Sequence, residues 1–358
     1  MTTMTQHPVE VTGGVDTHND THTAAAVDSA GRMLGSAQFP ATGAGYGALL
    51  VWLRSFGALV LVGIEGTGVY GAGLARYLRE QGVVMVEIDR PGRKARRWQG
   101  KSDPVDAQAA ARAALAQVRT GVPKHRDGRV EALRNLRVAR RSAIAQRATA
   151  QCQVKALIVT APEQVRVQLR GLSTRALVIT CAALRPDRTR CDDPVTAVKI
   201  ALRSLARRHQ RLTEEIADLD ELIAPLITQI SPALAQTHGV GPDVAGQLLV
   251  TAGDNPERMR SEAAFAMLCG VAPLPASSGK TQRHRLNHGG DRDANRALWR
   301  IAITRMATDP RTRDYVQRRT KQGKDKKEII RCLKRYIARE IHALLKPPTT
   351  QNDLAPAA

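Results

Sequence analysis

Four acidic residues pose the chemical question. Asp16 closes the run "VTGGVD", Glu65 closes "ALVLVGIE", and "GKSDPVDAQAA" supplies Asp103 and Asp106 three residues apart. On a helix, residues three apart share a face, with about 5–6 Å between their Cβ atoms, and Pro104 suits a first helical turn. Four carboxylates that converge with no cation among them repel one another, and a divalent metal is the economical remedy. Oxygen ligands of this hardness favour Mg²⁺ or Mn²⁺. Two such ions about 4 Å apart would stabilise both the attacking and the leaving oxygen of a phosphoryl displacement. Each acid alone also has a structural reading: Asp16 as a turn residue, Glu65 as a surface acid at a strand end, Asp103 as a helix cap with Asp106 in the first turn. His18/His22 and His284/His288 are spaced by four, as zinc ligands on a helix are. The first pair falls in a strand turn and the second precedes Gly289-Gly290, so neither is expected to bind zinc.

The elements that must position the acids follow from periodicity. "VTGGVDTHND", "HTAAAVDSAG" and "GRMLGSAQFPA" read as three strands at meander spacing, residues 43–55 as an amphipathic helix, and "ALVLVGIE" and "VVMVEID" as buried strands around the helix "YGAGLARYLREQG". That order is the one of a ribonuclease-H-like α/β fold, expected over residues 8–125. In such a sheet the first and fourth strands are parallel neighbours, which would bring Asp16 and Glu65 to one edge. Residues 126–235 read as a helical, coiled-coil spacer with a break near "RPDRTRCDDP". After the break Leu205, Leu212, Ile216, Leu219, Ile223 and Leu226 repeat at heptad-compatible steps, with His209 in the missing seam position. That stripe fits one helix of a bundle, or a coiled coil that joins copies of the chain.

Residues 236–346 read as a mainly α C-terminal domain, and residues 347–358 as a disordered tail. "THGVGPDVAGQLLVTAG" resembles the hairpin of helix-hairpin-helix elements, in which Gly239 and Gly241 would let backbone N–H groups approach a phosphate. It also fits a tight helix-helix turn. Further on, helices are expected around a basic turn at Gly323.

Charge names the class of partner. The chain has 54 Lys and Arg against 33 Asp and Glu, a net charge of +21, and residues 280–346 alone carry 20 against 7. An excess of this size favours a polyanion through counterion release. With three Phe, five Tyr and three Trp, a broad base-stacking platform is not expected. Five scattered cysteines without a C-x-x-C pair argue against a disulfide framework or a zinc knuckle. The opening "MTTMTQHPVE" lacks the character of an export signal, and no run of about 18 apolar residues follows. The expected location is the cytoplasm, at the nucleoid.

The stretch "PLPASSGKTQRH" contains the Gly-Lys-Thr that closes a phosphate-binding P-loop. The loop needs a glycine five residues before Gly279, where Leu274 stands, and Pro273 and Pro275 replace the buried strand that should lead in. Attention therefore moves to Ser277 and Ser278.

The pieces "GVDTH", "GIEGTGVYG", "KSDPVDA", "HGVGPDVAGQLL" and "AFAMLCGVAPLPASSGKTQRHRLNHGGDRDANRALW", in this order over nearly the whole chain, resemble the DEDD-type transposases of bacterial insertion-sequence family one hundred and ten and the Piv-type DNA invertases. The resemblance implies a RuvC-like N-terminal domain, a coiled-coil spacer and a C-terminal transposase domain. It implies Asp16, Glu65, Asp103 and Asp106 as metal ligands for Mg²⁺ or Mn²⁺. It further implies a nucleophilic serine in the Ser-Gly step, here Ser278-Gly279, with Ser277 the alternative. That serine would attack a phosphate of double-stranded DNA, leaving a phosphoserine link and a free 3′ hydroxyl that later attacks back. With serine and acids in different domains, the site would be composite, and a dimer or tetramer joined through the coiled coil would build it across copies. A structured noncoding bridge RNA is the implied guide.

Among the basic residues, Lys280, Arg283, Arg285 and Arg292 are expected to hold nucleic acid, with Asn287 and Asn295 in support. Arg93, Lys94, Arg96 and Arg97 would cradle RNA beside Trp98. Two rival readings stand beside this one: a RuvC-like nuclease in which water attacks, and a basic nucleic-acid-binding protein whose site has decayed.

Overall fold

Three strands with short turns open the chain: β1 (Glu10–Thr17), β2 (Thr21–Asp28) and β3 (Met33–Pro40). They are followed by α1 (Gly43–Arg54), β4 (Ala58–Glu65), α2 (Ala72–Glu80), β5 (Met85–Ile88), α3 (Asp103–Leu115) and the short β6 (Thr120–Gly121). The structure, a computed structural model, describes residues 9–89, 102–279 and 284–345. Arg93, Lys94, Arg96, Arg97, Trp98, Lys280, Arg283 and the expected tail lie outside the described residues. The chain divides into two compact units, Met1–Gly128 with Ala252–Ala264, and Arg129–Thr251 with Phe265–Ala358.

The first unit is a six-stranded mixed sheet in the order β3-β2-β1-β4-β5-β6. β1 pairs antiparallel with β2 and parallel with β4, with Val15 opposite Ile64. β1 and β4 are therefore parallel neighbours, as the strand order predicts. Side chains alternate across a strand, and each face of the sheet has its own cover. Val11, Val15, Val62 and Ile64 pack with Leu49, Leu53, Leu74 and Leu78 of α1 and α2. The opposite face belongs to α3, whose Ala107, Ala110, Ala111 and Ala114 are buried. A Cβ built at Gly14 would lie 2.1 Å from the Ala111 nitrogen, and one at Gly63 would lie 2.8 Å from the Ala114 Cβ. Glycine on the strands and alanine on the helix thus set the spacing of the two layers. The returning segment is tied in by buried Asn255, which donates to the Pro123 carbonyl (3.0 Å) and accepts from the His125 N–H (3.2 Å).

The second unit is mostly helical: α4 (Arg129–Thr160), α5 (Glu163–Leu169), α6 (Thr174–Ala183), α7 (Pro194–Ile230), α8 (Pro232–Gln236), α9 (Pro242–Ala252) and α10 (Glu262–Leu268). A two-stranded hairpin, β7 (Leu274–Pro275) and β8 (His284–Arg285), precedes α11 (Arg292–Thr308), α12 (Pro310–Lys321) and α13 (Lys326–Leu345). Within the expected break, Asp193 caps α7 by accepting from the Thr196 N–H, and Pro194 occupies the first turn. The leucine stripe of α7 packs antiparallel on α4 of the same chain. Ala143 meets Leu212 and Ile216, Val154 clusters with Leu202 and Ala206, and Arg140 Nε donates to Asp220 at 2.5 Å. Leu212, Ile216 and Ile223 are buried, whereas Leu205, Leu219 and Leu226 are half-buried. The turn at Gly323 joins α12 to α13 with φ +78°. No helix among the described residues is long and apolar enough to cross a membrane.

The layer spacing makes a direct prediction. Gly14→Ala drives a methyl into the backbone of α3 and should cost about 3 kcal/mol, the upper end of overpacking, in urea unfolding. Gly43→Ala, where an added Cβ meets nothing within 4 Å, should be neutral or mildly stabilising.

Candidate active site

Alternation along the strands decides where the acids point. Gly14 and Gly63 face α3, so Asp16 and Glu65, two residues further on, face the same way. Both stand at the C-terminal ends of parallel neighbours. Thr17 fastens these ends together by donating from Oγ1 to the Glu65 carbonyl at 2.8 Å, and Gly66, at φ +68°, turns the chain away. The same close packing that seats α3 brings its first turn, with Asp103 and Asp106, to this edge. Acids in a first helical turn complement the helix dipole, and Ser102 occupies the capping position with extended backbone.

Asp16, Glu65 and Asp106 are 8%, 5% and 7% exposed, so these residues are buried at the edge. His18, two residues beyond Asp16, places Nε2 3.2 Å from Asp16 Oδ2 and 3.4 Å from Asp103 Oδ1. The ligand atoms of Asp16, His18 and Asp103 all lie within 4.8 Å of one another. Burial pushes the Asp16 carboxyl above its ordinary range; His18 opposes the shift, and the negative charges of Asp106 and Asp103 add to it. The buried Asp16 carboxyl, which resists ionisation, with Asp103 and an imidazole beside it, fits a divalent cation: the cation would hold Asp16 charged and relieve the repulsion.

His18 was set aside on the ground of its spacing from His22. Two residues along an extended chain return to the same side, so its spacing from Asp16 was the informative one. His22 goes elsewhere: it is buried, stacks on Tyr46 with ring centroids 5.5 Å apart, and its Nδ1 lies 3.1 Å from the Thr21 carbonyl.

In the second unit, Leu274 pairs with Arg285 and Pro275 with His284. Ser277, Ser278 and Gly279 follow β7 and are exposed. Gly279 has φ +54°, a conformation that glycine adopts without steric cost. Arg285 and Arg292 are exposed. Asn287 and Asn295 are occupied with the fold: Asn287 Nδ2 donates to the Met267 carbonyl (3.0 Å), and Asn295 Nδ2 donates to the carbonyls of Cys269 (3.1 Å) and Gly270 (2.9 Å). Lys334 Nζ donates to Asn295 Oδ1 at 2.7 Å. These amides anchor the hairpin's flanks. Gly239 and Gly241 lie between α8 and α9, and Gly239 adopts φ +80°.

The raised pKa of Asp16 fixes a sign. The folded state holds this proton more tightly than the unfolded chain, so Asp16 costs stability as pH rises from the unfolded pKa through the folded one. Without divalent metal, Asp16→Asn should therefore melt higher than the wild type at neutral pH. Mg²⁺ at about 100 times its dissociation constant should stabilise the wild type by about 2.7 kcal/mol and Asp16→Asn far less, which differential scanning calorimetry reads directly.

Known proteins carry the same two regions. A DEDD-type transposase model for IS110 matches residues 13–161, and a model of the IS116/IS110/IS902 transposase family matches residues 231–317. The chain is 31% identical over 161 residues to the uncharacterized 43.6 kDa protein of insertion element IS110 from Streptomyces coelicolor, covering 44% of this chain and 40% of that protein. It is 26% identical over 155 residues to the uncharacterized 42 kDa protein of insertion element IS900 from Mycobacterium paratuberculosis, covering 41% of this chain and 39% of that protein. The chain spans about two fifths of the length of these curated relatives. The two matched models carry related names, one lying over the sheet and its edge of acids and one over the serine hairpin, so the chain is similar to IS110-type transposases over both regions.

Proposed function

We propose that the chain is a DNA transposase that cuts and rejoins DNA by phosphoryl transfer, with a RuvC-like acidic metal centre and a serine nucleophile. The observation that carries this reading is the gathering of buried carboxylates at the sheet edge, where Asp16, His18 and Asp103 lie within 4.8 Å of one another and Asp106 bears on Asp16 electrostatically. Asp16, Glu65, Asp103 and Asp106 are the proposed ligands of Mg²⁺ or Mn²⁺, with His18 joining them or orienting Asp16. A pair of such ions supplies charge stabilisation to the attacking and leaving oxygens of a phosphate displacement.

Ser278 is the proposed nucleophile. Its Oγ forms a bond to phosphorus as the bond from phosphorus to the 3′ oxygen breaks. The hydroxyl gives up its proton to a base, and the departing 3′ oxygen takes one up. The products are a 5′-phosphoserine link and a free 3′ hydroxyl, so the number of phosphoester bonds is kept and the reverse attack can rejoin strands. The exposed position of Ser278 on a hairpin supports this role, because a serine that attacks a polymer must be reachable. Lys280, Arg283, Arg285 and Arg292, with the backbone at Gly239 and Gly241, are the proposed phosphate contacts. The division of labour is a catalytic sheet over residues 8–125, a helical spacer over 126–235 and a transposase region over 236–346. A noncoding bridge RNA is the proposed guide, and self-association the proposed assembly.

Ser278→Ala should abolish a covalent protein–DNA adduct, a loss of about 10³-fold or more, with DNA affinity within about threefold of wild type. Ser277→Ala should keep the adduct. Free 5′-phosphate ends that form equally in wild type and Ser278→Ala would instead assign the attack to water, and cleavage by Asp16→Ala at the wild-type rate would take the chemistry away from the acids.

A further inference from the structure

One face of α11 carries an exposed indole among arginines. Arg292, Arg296, Trp299, Arg300 and Ile303 recur at steps of three, four and one, which places them on one side of the helix. Trp299 is 45% exposed, although an indole of this size normally contributes far more by burial. Beside it opens a cleft of about 350 Å³ between the start of α9 and α11, whose lining includes Gly239, Gly241, Asp243, Trp299, Arg300 and Ile303. The two glycines differ. Gly239 adopts φ +80° and is backed by the Arg305 side chain, so the backbone and the packing both call for glycine. Gly241 has no left-handed φ, and a Cβ there would meet nothing within 4 Å. Its missing side chain leaves the cleft open.

Ion pairs frame the cleft. From behind, Arg305 Nε donates to the His238 carbonyl (2.9 Å) while its guanidinium forks onto Glu340 (2.6 and 2.8 Å). Arg300 donates to Asp243 Oδ2 at 2.8 Å, and Arg137 and Arg140 approach Oδ1 of the same carboxylate at 3.2 and 3.4 Å. Arg140 pairs more closely with Asp220, at 2.5 Å, and Arg296 lies 3.5 Å from Asp293, which Arg141 also engages. Of the cleft's own lining, Arg300 and Asp243 form an ion pair beside the indole, and the exposed Arg296 stands one turn before Arg300 on the same helix.

We propose that this cleft takes an unstacked base of DNA, laid on the Trp299 indole, with the flanking phosphates held by Arg296 and Arg300. The inference rests on the reading of the chain as a protein that acts on DNA. An aromatic face stacks on any base, and arginines at its flanks complement the backbone. A single exposed tryptophan beside a cleft of this volume suits one base, not a tract. A fully paired duplex offers no such base, so the site selects strands with an unpaired or distorted position.

The test uses the full chain with Ser278→Ala as background, so that binding is read without strand chemistry. Fluorescence anisotropy compares a perfect DNA duplex with the same duplex carrying one unpaired base. Trp299→Ala should weaken binding to the unpaired substrate about 5- to 100-fold, the range of base stacking on one aromatic side chain, and binding to the perfect duplex less than about twofold. Trp299→Phe should restore most of the affinity. Gly241→Asn, which keeps a good helix-capping residue but fills the cleft, should reproduce the loss for the unpaired substrate with an unchanged melting temperature. Wild-type affinity of folded Trp299→Ala for the unpaired DNA overturns the proposal, as does an equal loss on both duplexes or a loss seen only with RNA of the same sequence. An adduct that persists in Ser278→Ala would instead refute the nucleophile assignment and leave these binding constants standing.

Discussion

Helix α3 lies directly on the backbone of β1 and β4, because Gly14 and Gly63 offer no side chain and Ala107, Ala110, Ala111 and Ala114 offer only a methyl. That contact is the constraint on which the acidic edge depends. A larger residue at either glycine would lift the helix, and with it the first turn that carries Asp103 and Asp106, away from the ends of the strands that carry Asp16 and Glu65. Interiors are packed too closely to absorb such a change without movement of one layer. The alanine-rich helix contributes little apolar area for its length. The opposite face supplies the greater part of the core through Leu49, Leu53, Leu74 and Leu78, and this leaves α3 free to serve position.

The electrostatics of the edge run against stability, which is the mark of a site. Burial and the neighbouring carboxylates raise the pKa of Asp16, and His18 compensates for part of that cost from its place beside Asp16 and Asp103. Nothing in folding alone requires buried acids at the ends of two strands and the start of a helix. A partner with positive charge makes the arrangement reasonable, and oxygen donors specify a hard cation.

Much of this was legible in the sequence because it rests on local signals. Apolar runs ending in acids located Asp16 and Glu65, the meander spacing gave the neighbourhood of β1 and β4, and Pro104 marked the start of α3. The spacing of four from His22 says nothing about the acids, whereas the spacing of two from Asp16 at a strand end is what sets His18 beside Asp16 and Asp103. The leucine stripe of α7 could be read as a seam but not assigned a partner, since periodicity states that a face is apolar and is silent on what covers it; α4 of the same chain packs there. The β7–β8 hairpin, two residues on each strand, is too short to leave a period. The return of residues 252–264 to the first unit depends on Asn255 and backbone groups distant in sequence, which no local pattern encodes.

The most direct test of the central claim is a crystal of the full chain grown with Mn²⁺ and measured at an energy where manganese scatters anomalously. The account predicts an anomalous peak at the sheet edge, coordinated by carboxylate oxygens of Asp16 and Asp103 at roughly 2.0–2.6 Å, the range of hard divalent cations on oxygen. An edge without a peak at saturating Mn²⁺, or a peak coordinated by other residues while these carboxylates stay together, would contradict it.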